Sequence, residues 1–341
     1  DKCRGVSIRS QRRGHPRTYF DGDDVEVMPT KDGGVPMDDI GISTNAVEDR
    51  LGLKGGRIPR CAREPGCAQF ALMAVFFDTH AHLSDPTFQN ELGAVIDRAL
   101  AAGVTRIITL GTDTETSRRC IEIAEQFPSV FACVGWHPTH VADAPEDVRP
   151  ILRELAAHPR VVALGETGLD HYWLPSKKPG HCVEEDVIFK ERQAEMFRQH
   201  LEVAVETGLG CVVHTRDSFD EAVNELRSFS DRVRTVFHCF AYDTAAMKRV
   251  VDLGSFVSFT GILTFKNAAL VRETLVQTPP GRFMLETDSP YLAPAPYRGK
   301  RCEPAYVKET AIFAAETRGI SLPELSACTC EAAESFFRFD R

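Results

Sequence analysis

The 341-residue chain has no apolar run that approaches the roughly 18 residues needed to cross a bilayer. The N-terminus also lacks the basic segment and apolar core of a signal peptide, and the eleven cysteines include no Cys-x-x-Cys pair. Cys133, Cys211 and Cys239 lie inside apolar runs, where a free thiol behaves as a small hydrophobic group. These absences predict a soluble globular protein of the reducing cytoplasm that does not bind membranes.

An excess of basic charge is also absent, because 40 Lys and Arg stand against 49 Asp and Glu, for a formal charge of −9. Segment 1–72 holds 12 basic and 11 acidic residues, which leaves 28 basic and 38 acidic residues in 73–341. This balance excludes a protein that coats nucleic acid through general positive charge. It leaves open an enzyme that holds a few phosphates locally, since a bound divalent metal carries its own positive charge.

The first 72 residues are rich in Gly, Arg and Asp and have little apolar periodicity. We predict that 1–72 is a low-complexity N-terminal extension, disordered or non-native, and that 73–341 is the functional unit. Met73 stands directly before the first convincing strand and is a candidate natural start. The alternative is a small accessory segment.

From residue 75 onward, short β-branched or aromatic runs alternate with stretches of helical periodicity. The predicted helices include 91–101, 117–126, 191–206, 219–228, 245–252 and 268–277. Eight such runs over 269 residues predict the α/β class and a (β/α)8 TIM-type barrel. An open doubly wound sheet is disfavoured, because it usually has a glycine-rich loop after its first strand, where this chain has two histidines. The predicted strands are 75–80, 104–111, 130–137, 161–168, 210–215, 235–240, 256–261 and 283–288.

Ionisable residues stand where several of these apolar strands stop. In a (β/α)8 barrel the C-terminal strand ends converge on one mouth, so residues more than 200 positions apart come together there. Four imidazoles and two carboxylates form a mixed nitrogen and oxygen ligand set suited to two divalent ions. Each residue alone could instead be a capping or solvated polar group. The six candidate ligands are His80, His82, Glu166, His214, His238 and Asp288.

Seven short motifs in this order resemble the TatD family of metal-dependent deoxyribonucleases, within the amidohydrolase-like barrels. The resemblance covers essentially all of 75–341 and implies one metal held by His80, His82, Glu166 and Asp288. It implies a second metal held by Glu166, His214 and His238, with Glu166 as the bridge. The motifs are Phe-Asp-Thr-His-Ala-His (77–82), Gly-Trp-His-Pro (135–138), Gly-Glu-Thr-Gly-Leu-Asp (165–170), Val-His-Thr-Arg (213–216), His-Cys-Phe (238–240), Leu-Glu-Thr-Asp-Ser-Pro-Tyr-Leu-Ala-Pro (285–294) and Arg-Gly-Lys-Arg (298–301).

Three residues are predicted to serve catalysis. Asp288 would orient and deprotonate the attacking water. Glu286 would support a ligating imidazole, the alternative being a buried salt bridge that supports the barrel. His137 would contact the scissile phosphate, or would simply hydrogen-bond its loop.

Five basic residues on loops after the strands are predicted to contact the substrate, although solvated surface charge is the alternative for each. They are Arg216, Lys266, Arg298, Lys300 and Arg301.

Trp173 could stack on a base, but we expect it to pack its loop. We expect His158 and His200 on the surface. Two positions depart from the family pattern, Cys302 and Glu331, and neither belongs to the implied ligand set.

These inferences together predict a phosphodiesterase that acts on DNA, working as an exonuclease from 3′ ends. The expected cofactors are two divalent ions, Mg²⁺ first, with Mn²⁺ or Zn²⁺ as alternatives, and we expect a monomer with no obligate protein partner. Strand polarity and DNA preference come from the resemblance only. One alternative is a hydrolase of a small ester or amide, including a deacylase of charged tRNA, on the same metals. The other is a noncatalytic barrel, against which the complete ligand set argues.

Overall fold

A computed structural model describes residues 74–339 of the chain. The predicted extension 1–72 lies outside the described residues, so that interpretation and the boundary at residue 73 stay predictions. Among the helices of 74–339, none is both long enough and apolar enough to cross a membrane.

Within residues 74–339, eight parallel strands form one sheet in which each strand pairs with the next along the chain. They alternate with helices, as the sequence predicted, and the (β/α)8 barrel is confirmed. The strands are β1 Phe76–Ala81, β2 Val104–Leu110, β3 Val130–Val134, β4 Val161–Asp170, β5 Gly210–Arg216, β6 Thr235–Phe237, β7 Phe256–Phe259 and β8 Phe283–Leu285.

The barrel closes where the residues just after β8 form hydrogen bonds with the end of β1. The amide of Asp288 donates to the carbonyl of His80 at 2.9 Å, and the amide of His82 donates to the carbonyl of Ser289 at 2.7 Å. Deeper in this seam, Asp78 accepts from the amide and the hydroxyl of Thr287 at 2.8 and 2.6 Å. The barrel is therefore closed at the level where the predicted ligands lie.

Nine α-helices pack against the barrel within the described range. The helix after β4 begins at Val183, two turns before the predicted start at residue 191. Its first turns expose Val183, Val187 and Ile188 instead of burying a stripe, so periodicity did not reveal them. The helices are α1 Leu92–Ala101, α2 Thr114–Gln126, α3 Arg149–Ala156, α4 Val183–Thr207, α5 Phe219–Leu226, α6 Thr244–Asp252, α7 Ala269–Gln277, α8 Val307–Arg318 and α9 Leu322–Phe337.

The last helix, α9, covers the N-terminal ends of the strands. Phe336 and Phe337 are fully buried there, and the ring of Phe336 lies 5.8 Å from that of Phe256 at the start of β7. Gly210, which opens β5, has no room for a side chain, because a Cβ would lie 2.7 Å from the Phe336 ring. This end of the barrel is filled with aromatic side chains, which leaves the opposite end for the site.

Candidate metal centre

All six predicted ligands lie at the mouth, the end of the barrel formed by the C-terminal strand ends. His80 is in β1 and His82 one residue beyond it, and since side chains alternate along a strand, both point to the same face. Glu166 and His214 are in β4 and β5, whereas His238 and Asp288 follow β6 and β8. The structure therefore brings the six together, and their role as ligands stays a prediction.

Two glycines let β4 present Glu166 in this position. Gly165 and Gly168 have φ values of +129° and +138°, a region that residues with a side chain rarely adopt. A Cβ on Gly168 would lie 2.1 Å from the carbonyl oxygen of His214, and one on Gly165 would lie 2.6 Å from that of Val212. The Gly-x-x-Gly spacing thus allows the end of β4 to approach β5 closely.

One group of side chains gathers around Oε2 of Glu166. This oxygen lies 3.3 Å from Nε2 of His80 and 3.6 Å from Nε2 of His82. Asp288 places Oδ1 3.6 Å from Nε2 of His80 and 3.3 Å from Nε2 of His82. The two Nε2 atoms are themselves 3.3 Å apart. Two nitrogens and two carboxylate oxygens therefore converge on one small space.

A second group gathers around Oε1 of the same carboxylate. Nδ1 of His214 and Nε2 of His238 each lie 2.8 Å from this oxygen and 3.2 Å from each other. His137, predicted to contact the phosphate, places Nε2 3.4 Å from the same oxygen and 3.4 Å from Nδ1 of His214. Its geometry is thus also compatible with a ligand role. Glu166 joins the two groups through its two oxygens.

This arrangement fits divalent ions. Ligand nitrogens and oxygens bind such ions at about 2.0–2.2 Å, so neighbouring ligand atoms around one ion lie about 3 Å apart. Several sets of ligand atoms, each from three residues and within 4.8 Å of one another, lie at the mouth. They include His80, His82 and Glu166; His80, His238 and Asp288; and His137, Glu166 and His214. The residues present are therefore chemically and geometrically able to hold metal.

Burial and charge shift the protonation of the cluster in opposite directions. Burial raises the pKa of Glu166, but its interactions with the neighbouring imidazoles of His238, His137 and His80 outweigh burial and hold that pKa well below its ordinary value. Burial lowers the pKa of His137 to about 4, so this ring is neutral at pH 7. For Asp288, the hydrogen bond from His82 and the charges of three histidines outweigh burial and lower the pKa of the carboxyl. The mouth therefore presents carboxylates and a neutral imidazole at neutral pH.

Glu286 lies beside Nδ1 of His238, the ring nitrogen opposite the one that faces Glu166. Its Oε1 accepts from the amide of Cys239 at 2.6 Å and lies 3.5 Å from Nδ1 of His238, and its Oε2 accepts from the hydroxyl of Ser258 at 2.5 Å. The side chain is buried. This position agrees with the predicted support of an imidazole, and any effect of Glu286 on chemistry would pass through His238.

Sequence reasoning did not single out Asp170, the last residue of β4. Its carboxylate lies 3.2 Å from Nε2 of His214 and accepts hydrogen bonds from the amides of Tyr172 and Trp173. The sequence signal that could have identified it is the Gly-Glu-Thr-Gly-Leu-Asp motif, of which Asp170 is the last residue.

The expectation that His200 lies on the surface is wrong. The ring is fully buried in α4, Nδ1 donates to the carbonyl of Met196 at 2.7 Å, and Nε2 accepts from the amide of Trp136 at 3.1 Å. Because Trp136 directly precedes His137, this contact supports the chain at the mouth.

The predicted substrate contacts differ in their surroundings. The guanidinium of Arg216 lies 3.9 Å from the ring centre of Tyr172 and 5.8 Å from that of Trp173. Arg298 lies 3.7 Å from the ring centre of Phe265, and Lys266 and Lys300 have exposed side chains. Arg301, in contrast, is paired with two carboxylates, Glu303 at 2.8 Å and Glu91 at 2.9 Å. Because these two carboxylates already neutralise its charge, Arg301 is less suited than the other four residues to bind a phosphate.

The barrel with this His, Glu and Asp cluster at its mouth defines the class of the protein as a metal-dependent hydrolase. Residues 77–338 match the family described as TatD related DNase, and the chain belongs to that family. It is 36% identical over 267 residues to YabD of Bacillus subtilis, covering 78% of this chain and 100% of that protein. It is 35% identical over 270 residues to YcfH of Escherichia coli K12, covering 77% and 96%. Both relatives are named as uncharacterized metal-dependent hydrolases.

The fold agrees with these relatives. The crystal structure of YjjV, a TatD homolog from Escherichia coli K12, superposes with a TM-score of 0.70 at 25% identity. The match covers 77% of this chain and 98% of YjjV. A hydrolase of the TatD family from Entamoeba histolytica has the same fold, with a TM-score of 0.67 at 21% identity.

Proposed function

We propose that the protein hydrolyses phosphodiester bonds of DNA with the help of two divalent ions, as an exonuclease that works from 3′ ends. The observation that carries the proposal is the division of the cluster by Glu166, whose two oxygens face two separate sets of nitrogen atoms. A carboxylate that bridges two ions is suited to phosphoryl chemistry, in which both the attacking and the leaving oxygen need stabilisation. The family description supports DNA as the substrate.

His80, His82 and Asp288 with Oε2 of Glu166 would hold one ion, and His214 and His238 with Oε1 would hold the other. When bound, the ions would supply positive charge for the phosphate and lower the pKa of water. The imidazole-rich set favours Zn²⁺ over the Mg²⁺ expected first from the sequence, because Mg²⁺ and Mn²⁺ are better suited to oxygen ligands and water. Loading with each of the three ions distinguishes them.

Asp288 is suited to take the proton from the attacking water. It is ionised at neutral pH because His82 and neighbouring charges outweigh the effect of burial on its pKa. Its side chain is 16% exposed, so solvent can reach the carboxylate, whereas Glu166 is 3% exposed. His137, neutral and 16% exposed, is suited to contact the phosphate by hydrogen bonding.

The mouth also has features suited to single-stranded DNA. Trp173 is 36% exposed and lies edge-on to Tyr172, and Arg216 stacks on Tyr172. Exposed aromatic rings beside cations bind the bases and the backbone of single strands. This arrangement favours base stacking by Trp173 over the packing role expected from the sequence.

The test is cleavage of end-labelled single- and double-stranded DNA by metal-loaded protein, beside a small phosphodiester and model esters. Asp288→Asn should lower turnover on DNA by about 100-fold or more, the scale of a lost general base, while DNA binding persists. Release of nucleotides from the 5′ end, or no cleavage of DNA by protein that hydrolyses a small ester, would contradict the proposal. The second outcome would favour the hydrolase of a small substrate.

A charge variant separates binding from chemistry. Arg298→Ala with Lys300→Ala should weaken DNA binding and lower its salt dependence by up to about 0.7 log units per lost contact on single strands. Hydrolysis of the small phosphodiester should be unchanged. A matched control removes equal charge from the outer helices α2 and α3, Arg118→Ala with Arg153→Ala, whose ion pairs are exposed. Equal loss of DNA binding in both double variants would contradict a specific role for the loop after β8.

A further inference from the structure

Asp170 connects a predicted metal ligand with the loop that follows β4. One carboxylate oxygen, Oδ1, accepts the amides of both Tyr172 and Trp173 at 2.9 Å. The other, Oδ2, lies 3.2 Å from Nε2 of His214. The side chain is 2% exposed, so water does not compete strongly for these contacts.

We propose that Asp170 is a positioning residue that fixes the tautomer of His214, with hydrogen on Nε2 and a lone pair on Nδ1 for a divalent ion. The inference rests on the proposed metal centre, but not on DNA as the substrate. In this role Asp170 would also connect the ion held by His214 and His238 to the loop that carries Trp173.

The geometry of the contacts carries this assignment. An ionised carboxylate only accepts hydrogen bonds, so its contact with Nε2 requires hydrogen on that nitrogen. Oε1 of Glu166 faces Nδ1 at 2.8 Å, and Nε2 of His238 lies 3.2 Å from Nδ1. An ion held between Nδ1 and Oε1 would take the lone pair of Nδ1, so the one hydrogen of the neutral ring would stay on Nε2, facing Asp170. Carboxylates behind metal-bound histidines commonly orient the ring in this way.

The backbone of Asp170 is held independently of its side chain. Its amide donates to Oε1 of Gln193 at 3.0 Å, and Nε2 of Gln193 donates to the carbonyls of Asp170 and Pro138. A substitution that preserves the shape of the side chain should therefore leave the end of β4 in place.

Asp170→Asn provides the test. Oδ1 of the amide can still accept the two loop amides, but its NH₂ group then faces Nε2 of His214 and donates to it. The hydrogen of the neutral ring must move to Nδ1, where it blocks metal binding. We expect titration of chelator-treated protein with Mn²⁺ to show two ions in the wild type, and in the variant a 10- to 100-fold weaker affinity for one of them.

The control loosens the same loop without contact with His214. Asp186 accepts from the amide and the hydroxyl of Ser176 at 2.8 and 2.6 Å, so Asp186→Ala removes a different anchor of this segment. This variant should retain both ions. An equal loss of metal in Asp186→Ala would overturn the tautomer argument, because loop order would then explain the effect.

A second measurement does not depend on folding of a variant. In wild-type protein loaded with Zn²⁺, ¹⁵N chemical shifts of the His214 ring should report hydrogen on Nε2; hydrogen on Nδ1 would overturn the inference. Two ions bound with unchanged affinity in Asp170→Asn would overturn the role of Asp170 alone. Fewer than two ions in the wild type would overturn the proposed centre together with this inference. Two ions without DNA cleavage would overturn only the DNA substrate.

Discussion

The buried His200 should make the protein less stable as the pH falls below about 6.5. In the folded protein burial lowers the pKa of this histidine to about 4, whereas the unfolded chain has the ordinary value of 6.5. The unfolded state therefore binds the proton first, and the stabilising contribution present above pH 6.5 is lost as the pH falls towards 4. The pKa difference corresponds to about 3 kcal/mol in total, of which about 2 kcal/mol is lost between pH 7 and pH 5.

His200→Gln removes this titration while retaining an oxygen that can accept from the amide of Trp136. The assay is urea unfolding of chelator-treated wild type and variant between pH 7 and pH 5, so that the other histidines contribute equally to both. We expect the wild type to be more stable at pH 7 and the difference to shrink by about 2 kcal/mol at pH 5. A difference that stays constant over this range would refute the reasoning.

Two further predictions concern the bridge and the closed end of the barrel. Glu166→Ala should bind markedly less metal than any single His→Ala variant at the mouth, because one carboxylate faces both groups. If elemental analysis finds two ions per chain in Glu166→Ala, the bridging role is refuted. Phe336→Ala should lower the free energy of unfolding by about 3–5 kcal/mol while metal content stays unchanged, as measured by urea unfolding and elemental analysis, and a loss of metal would show that the two ends of the barrel are coupled.

The positions of the six ligands could be predicted because strand order and strand ends are local patterns, and a barrel brings equivalent strand ends together. Burial of single polar side chains in helices could not be predicted in the same way. His200 is buried against Trp136, 64 positions earlier, whose amide donates to its ring. The pairing of Arg301 with Glu91 likewise depends on how the loop after β8 meets α1. Such contacts come from packing between distant segments, which periodicity does not record.

The seam between the first and last strands has a consequence for synthesis of the protein. Asp78 and Thr287 are 209 positions apart, yet their hydrogen bonds close the barrel next to His80 and Asp288. A nascent chain that ends before β8 has neither this closure nor the carboxylate of Asp288, so the first group of ligands is incomplete. The cluster at the mouth is therefore assembled only after nearly the whole barrel has been translated, and truncated products are expected to be inactive.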